Sequence, residues 1–368
     1  MRWRSMATAV LLAAVTATGL AAPVASAAEP SAAEPATAVP GVLVPAADRE
    51  ISFTADGTTA YGTVHIPAHR AGQRLPAALL LPGSGPTDRN GDEPPALTPG
   101  TLAAIADTLG ADGVLTLRFD KYFTGRTGPG AYQGDPGRLD LPAFTRQAAA
   151  AYDTLREQPE ADRHELLVVG HSEGGLQALL VARTVRPAPA GLALLAPQDE
   201  RLLDLLSAQL DGQLDQAVAA GQVTAEAARA NRAGIAAAVA DFRAGRPTEA
   251  DTAGLLPPLA GLLNALFGPN NARFVRSDDA VYPPDVARQV RPGTRVTVTC
   301  GTADANVPCA GVPPLLAALA RAHTTGPGLR TLDGLDHFLH PAGTPVNDRA
   351  LAPAAVAALH EFARPWKR

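Results

Sequence analysis

One stretch constrains the fold of this chain more than any other. Leu166-Leu167-Val168-Val169 leads into Gly170-His171-Ser172-Glu173-Gly174-Gly175, and Leu176-Gln177-Ala178-Leu179-Leu180 follows. A short apolar run of β character thus enters a Gly-x-Ser-x-Gly turn, and an Ala/Leu-rich helical pattern leaves it. This is the sequence form of a serine held on a sharp strand-to-helix elbow. The backbone at the tip of such an elbow is strained, and side chains two residues before and after the serine would collide with the neighbouring strand and helix. Glycine at 170 and 174 removes those collisions. The helix behind the tip aims backbone N–H groups and a positive dipole end at any oxyanion formed there. The pentapeptide alone says little in a chain with 34 glycines, so its weight comes from the flanking patterns and from partners elsewhere.

The first residues bound the compartment. Arg2 and Arg4 precede an apolar run over residues 9–20, and Ala25-Ser26-Ala27 is a small-residue cleavage site, so residues 1–27 read as a secretory signal. The run is too short and too rich in alanine for a stable membrane span. Residues 28–48, without periodicity and rich in Ala, Pro and Glu, read as a disordered leader, with folded material expected from about Arg49. Removing the two arginines of the signal takes the net charge from −5 to −7, and only 18% of residues are charged. A nucleic-acid partner is therefore disfavoured. The only two cysteines, Cys300 and Cys309, favour a local disulfide over free thiols in an exported protein, and they are too few for a metal site.

Apolar and polar residues alternate over 51–55 and 59–66 around Asp56-Gly57, which predicts a β-hairpin. Residues 77–81 form a short apolar strand that ends in the loop Pro82-Gly83-Ser84-Gly85-Pro86-Thr87-Asp88-Arg89-Asn90-Gly91. A helix is expected over 98–109, with Thr98 as N-cap and Pro99 at its first position, then a strand over 113–119 and a helix over 142–158. Another strand at 191–196 precedes residues 199–267, which hold no credible strand and read as two to four helices. Strands at 294–299 and 329–332 alternate with helices at 313–323 and 351–364. The alternation predicts an α/β fold with a mostly parallel sheet and helices on both faces. The organisation is then a core in two parts, 49–198 and 285–368, with a helical cap insertion at 199–284.

Partners for Ser172 follow the later strands. Asp304 lies in Cys300-Gly301-Thr302-Ala303-Asp304-Ala305-Asn306, at the carboxyl end of a strand, where ligands of open α/β sheets bind. His337 lies in Leu332-Asp333-Gly334-Leu335-Asp336-His337-Phe338. Asp199, after the strand at 191–196, is the serious rival to Asp304, and Asp333 and Asp336 lie beside the histidine. Among eight histidines only His337 follows the last strand with an apolar anchor, Phe338; His340 is its nearest competitor.

With these motifs in order, the chain resembles the α/β-hydrolase family from about Ile51 onward. The loop at 82–91 together with Gly170-His171-Ser172-Glu173-Gly174-Gly175 is similar to bacterial esterases grouped with serine-aminopeptidase-type and dienelactone-hydrolase-like enzymes. The resemblance implies hydrolysis of carboxylic esters, a small-molecule substrate, and no metal or organic cofactor. It implies Ser172 as nucleophile, His337 as general base and then acid, and Asp304 as the carboxylate that fixes the imidazole tautomer. The oxyanion hole would comprise the backbone N–H groups of Glu173 and of Ser84, with Gly83 and Gly85 giving the loop its shape as Gly170 and Gly174 do the elbow. One departure is local. Where relatives continue Asp-Lys/Arg-Arg-Gly, this chain has Asp120-Lys121-Tyr122-Phe123-Thr124-Gly125-Arg126, and its aromatic loop, residues 122–132, is expected near the crevice. An aminopeptidase or amidase would use the same triad, and acidic cap residues Asp199, Glu200, Asp204, Asp211 and Asp215 could receive a free amino terminus. A binding protein on the same fold would be expected to lack a triad member or an elbow glycine, and none is lacking.

Overall fold

The protein is described by a computed structural model over residues 41–367. The signal at 1–27 and the leader as far as residue 40 lie outside the described residues. The first described segment is already paired: β1 (Leu43–Val44) runs antiparallel to β4 (His69–Arg70). Strand β2 (Ala47–Ala55) pairs with β3 (Thr58–Ile66) from Ala47, opposite Ile66. Ordered chain therefore begins before Arg49. The early residues escape a pattern search because Ala47-Asp48-Arg49 does not alternate; pairing holds them, with Asp48 on His65 at 2.7 Å and Arg49 on Glu160 at 2.7 Å.

Six further strands complete the sheet: β5 (Leu75–Leu81), β6 (Leu115–Phe119), β7 (Ala161–His171), β8 (Gly191–Leu195), β9 (Arg295–Gly301) and β10 (Thr325–Leu332). Their spatial order is β10-β9-β8-β7-β5-β6-β3-β2, parallel from β10 to β6 and antiparallel only at the β2-β3-β6 edge. All seven residues of β5 are buried. Because side chains alternate along a strand, Ala77, Leu79 and Leu81 enter one core layer and Ala78 and Leu80 the other. The first layer packs on α2 (Leu141–Arg156), α3 (Glu173–Thr184) and α10 (Val312–Arg321) through Ala148, Leu176 and Leu315. The second packs on α1 (Thr101–Ala111) and α11 (Pro353–Ala363) through Ile105, Leu359 and Phe362. This is the expected mostly parallel sheet, covered on both faces. Truncating Leu79 to alanine at its centre would cost about 2–5 kcal/mol.

Helix α1 begins later than expected. Gly100, in left-handed conformation, precedes it, and Gly100 N–H donates to the Asp92 carboxylate at 2.6 Å, while Thr98 N–H donates to Asn347 Oδ1 at 2.7 Å. Residues 98–100 are thus held by contacts with Asp92 and with Asn347 rather than in a helical turn.

Between β8 and β9 the described chain is helical: α4 (Leu202–Ala219), α5 (Ala225–Arg243), α6 (Glu249–Thr252), α7 (Pro257–Phe267), α8 (Ala272–Asp279) and α9 (Pro283–Ala287). Leu202, Leu206, Leu210 and Leu214 recur every four residues on α4 and meet Ile235, Phe242, Leu263 and Val275 in a separate apolar cluster. Helix α8 was not legible because its sequence, ARFVRSDD, is mostly polar; it nevertheless buries Val275, Asp278 and Asp279. Among the described residues no helix is long and apolar enough to cross a membrane.

Candidate active site

Strands β5, β7, β8, β9 and β10 are parallel, so the loops after them gather at one edge of the sheet. Ser172 sits at the tip of the loop after β7 with φ 58° and ψ −125°, outside the comfortable regions for a residue with a side chain. The surroundings enforce that geometry. Ser172 N–H donates to Leu195 O at 3.0 Å, and Ser172 O accepts from Gly175 N–H at 2.8 Å and Gln198 N–H at 3.0 Å. A Cβ at Gly170 would lie 1.9 Å from Gly174 O, and one at Gly174 would lie 2.2 Å from Leu81 O. Both glycines are therefore obligatory for the close crossing of β5, β7 and α3.

His337 and Asp304 meet at this edge. His337 Nδ1–H donates to Asp304 Oδ2 at 2.8 Å, and Asp304 Oδ1 accepts from the N–H groups of Asn306 and Val307, each at 2.8 Å. Burial pushes the Asp304 carboxyl up, but His337 and the two backbone donors outweigh it and hold the group below its ordinary value. An ionised Asp304 fixes the proton on Nδ1 and leaves Nε2 as an acceptor. His171 supports His337 from behind: its Nε2–H donates to His337 O at 2.8 Å. Burial, with His337 second, pushes His171 down to about 4, so it stays neutral. His337 and Ser172 line the same two recesses.

The rivals fall elsewhere. Asp199 is buried against Gly311, and its Oδ2 has no hydrogen-bond partner among the described residues. Asp333 accepts from Thr302 Oγ at 3.0 Å, and Asp336 from the N–H groups of Phe338 and His340. Both ring nitrogens of the buried His340 lack a partner among the described residues.

The Gly-rich loop follows β5, whose Leu81 is in register with Gly170. Gly83 lies directly against Ser172: a Cβ there would be 3.2 Å from Ser172 Cβ. Gly85 has φ +77°, and a Cβ would strike Glu93 Oε1 at 2.6 Å. Ser84 lines both recesses with Ser172, and Glu173 lines the second as the first residue of α3.

Sequence reasoning missed the charges beneath this loop. Lys121, Glu173 and Asp278 are all buried. Lys121 Nζ donates to Gly83 O at 2.5 Å, while burial pulls the ammonium down and the Glu173 and Glu93 carboxylates oppose it. Burial, followed by the charge of Glu173, drives Asp278 well above its ordinary value, and Asp278 Oδ1 accepts from Gln198 Nε2 at 2.8 Å. A lysine after Asp120 and an acid after Ser172 were visible in sequence; that both are buried was not.

One recess lies under α4 and is lined by Leu202, Leu205, Leu206, Gln209 and Asn306; the other is lined by Thr87, Glu93, Leu97, Leu102 and Phe338. The aromatic loop expected at the crevice lines neither. Tyr122 and Tyr132 instead pack edge-on at 5.0 Å in a small core with Leu139 and Ala143, and Tyr122 OH donates to Ala55 O at 3.3 Å. Three of the five acidic cap residues are likewise diverted, Asp204 to Arg243 and both Asp211 and Asp215 to Arg232. Cys300 and Cys309 form a disulfide around the Asp304 loop. Among the described residues no group of three or more His, Cys, Asp or Glu side chains is placed to hold a metal ion.

The architecture is shared with solved structures. The esterase Est1E of Butyrivibrio proteoclasticus, solved with ferulic acid bound, matches at TM-score 0.52 and 17% identity over 86% of this chain and 98% of its own. The Pyrococcus furiosus esterase Pf2001 matches at TM-score 0.52 and 13% identity over 88% of this chain and 92% of its own. The α/β hydrolase GrgF of Penicillium sp. sh18 matches at TM-score 0.52 and 18% identity over 87% of this chain and 99% of its own. The fold of this chain is therefore that of the α/β-hydrolases. No family model and no curated protein matches the sequence.

Proposed function

We propose that this chain is an exported serine hydrolase that cleaves carboxylic esters of small to medium acyl groups. The observation that carries the reading is the His337 Nδ1 to Asp304 Oδ2 contact of 2.8 Å in a base that shares its recesses with Ser172 on a strained elbow. In this reading His337 Nε2 takes the proton as Ser172 Oγ attacks the carbonyl carbon, and the Ser84 and Glu173 N–H groups receive the oxyanion. His337 then protonates the departing alcohol, and water repeats the cycle on the acyl-enzyme. The leucines of α4 offer an apolar surface for the acyl group. An ester is favoured over a substrate with a free amino terminus because Asp204, Asp211 and Asp215 are paired with arginines. Export rests on residues 1–27 and fits a disulfide, which persists in oxidising compartments.

The test is labelling of folded protein by a fluorophosphonate, with Ser172→Ala as control, alongside rates on p-nitrophenyl esters and aminoacyl anilides. Ser172-dependent labelling with faster ester turnover is expected. Unlabelled but folded protein would return the chain to a binding role, and faster anilide cleavage would make it an amidase. Secretion by a host that processes such signals should yield a mature amino terminus at Ala28.

A further inference from the structure

We propose that Lys121 is a positioning residue for the oxyanion site, an inference that rests on the serine-hydrolase reading and deepens it. The Lys121 ammonium donates to the carbonyl oxygen of Gly83 at 2.5 Å from a side chain that is 6% exposed. The peptide between Gly83 and Ser84 is trans, since the cis bonds among the described residues are Pro94-Pro95 and Arg186-Pro187. In a planar trans peptide the C=O and the N–H point in opposite directions. Fastening the Gly83 carbonyl to Lys121 therefore turns the Ser84 N–H away from Lys121. Ser84 borders both recesses with Ser172, and Gly83 abuts the Ser172 side chain, so that direction matters for any oxyanion formed on Ser172.

The loop needs such a fastening. Gly83-Ser84-Gly85 has glycine on both sides of the serine, and glycine accepts backbone rotations that other residues resist. A flipped 83–84 peptide would present a carbonyl oxygen to the developing negative charge in place of an N–H. A charge-assisted hydrogen bond from a buried ammonium opposes that flip more strongly than a neutral one would. The same ammonium lies within electrostatic range of the buried Glu173, whose backbone N–H is the other oxyanion donor, and of the half-buried Glu93. One cation thus acts on both segments that supply the hole, by a hydrogen bond on β5's loop and by charge alone at the first residue of α3. Lys121 itself borders neither recess, so its influence passes through the peptide it holds.

The experiment compares wild type with Lys121→Met, a flexible apolar replacement of similar length, checked for folding by circular dichroism. The expected result is a fall in kcat on a p-nitrophenyl ester of about 10²–10³, the size of losing one oxyanion donor, with KM within about threefold. The Ki of phenylboronic acid, whose tetrahedral serine adduct places an oxygen in the hole, should rise by a similar factor. A folded Lys121→Met with wild-type kcat overturns the inference, as does a kcat loss without a rise in Ki. Should Lys121→Met not fold, Lys121→Arg decides: its bulkier head displaces Gly83 and should cost about tenfold in both quantities, and unchanged values overturn the inference. Wild type without Ser172-dependent turnover defeats the hydrolase reading and this inference with it. An active wild type with an unaffected variant defeats the role of Lys121 alone.

Discussion

Asp304 and Asp199 follow neighbouring parallel strands, β9 and β8, and both are almost wholly buried, at 5% and 1% exposure. Their fates are opposite. Asp304 has His337 on one oxygen and two backbone donors on the other, and it is held below its ordinary value. Asp199 has no partner on Oδ2 among the described residues, and burial, followed by the charge of Glu200, pushes it up to about 7. Depth and strand position are common to the two, so neither makes a carboxylate fit to orient a base. The difference comes from the loop that wraps the Asp304 oxygens and from the distance to His337.

The sharpest way to break this comparison is to neutralise each acid in turn. Asp304→Asn should lower kcat on esters by about 10⁴, because the amide reverses the imidazole tautomer. Asp199→Asn should leave kcat within about threefold. The same loss in Asp199→Asn, with Asp304→Asn unaffected, would exchange their roles.

A smaller effect is expected from the staple around the loop. The Cys300–Cys309 bond encloses Asp304 and the donors at Asn306 and Val307 that hold it. Replacing both cysteines by alanine should cost about 2–3 kcal/mol of stability for so short a loop. Loosening the acid should also lower kcat by about tenfold, since small misplacements of a catalytic group are expensive. Chemical denaturation and ester kinetics on the same preparation separate the two effects. A stability loss with unchanged kcat would confine the bond to the fold, and Asp304 would then owe its geometry to its hydrogen bonds alone.

The choice of Asp304 over Asp199 rested in sequence on the family resemblance and not on local pattern, and the reason is a matter of range. The elbow was legible because its logic is local: a strand, two glycines at fixed spacing and a helix announce Ser172 within fifteen residues. The strand alternation likewise carried the sheet. Asp304 and Asp199 present the same local pattern, an acid just beyond a β-run, and only the fold distinguishes which one faces a histidine 33 residues further on. Lys121 and Glu173 were visible as charges beside the loop and Ser172, but charge in sequence suggests solvent, and their burial depends on the crossing of β5, β6 and α3. The aromatic loop failed for a converse reason. Tyr122 and Tyr132 found each other and Ala55, so a chemistry that suggested a crevice was satisfied by a local core.

The last expected effect is on stability alone, and its sign differs between the two acids. A carboxyl whose folded value is lowered, as for Asp304, contributes stability above the unfolded value of 3.8 and loses it as pH falls below that. Asp199 works the other way. With a folded value of about 7 against 3.8 unfolded, the unfolded chain releases its proton first, so stability declines as pH rises from 3.8 to about 7 and the full penalty persists above. Asp199→Asn removes the titration. It should therefore raise stability at pH 8 by about 1–2 kcal/mol, within the cost of an unsatisfied buried group, while changing little at pH 4. Thermal midpoints of wild type and variant at both values measure the difference directly. A gain at pH 4 equal to that at pH 8 would show packing rather than charge at work, and no gain at either would mean that Asp199 finds in solution the partner it lacks beside Gly311.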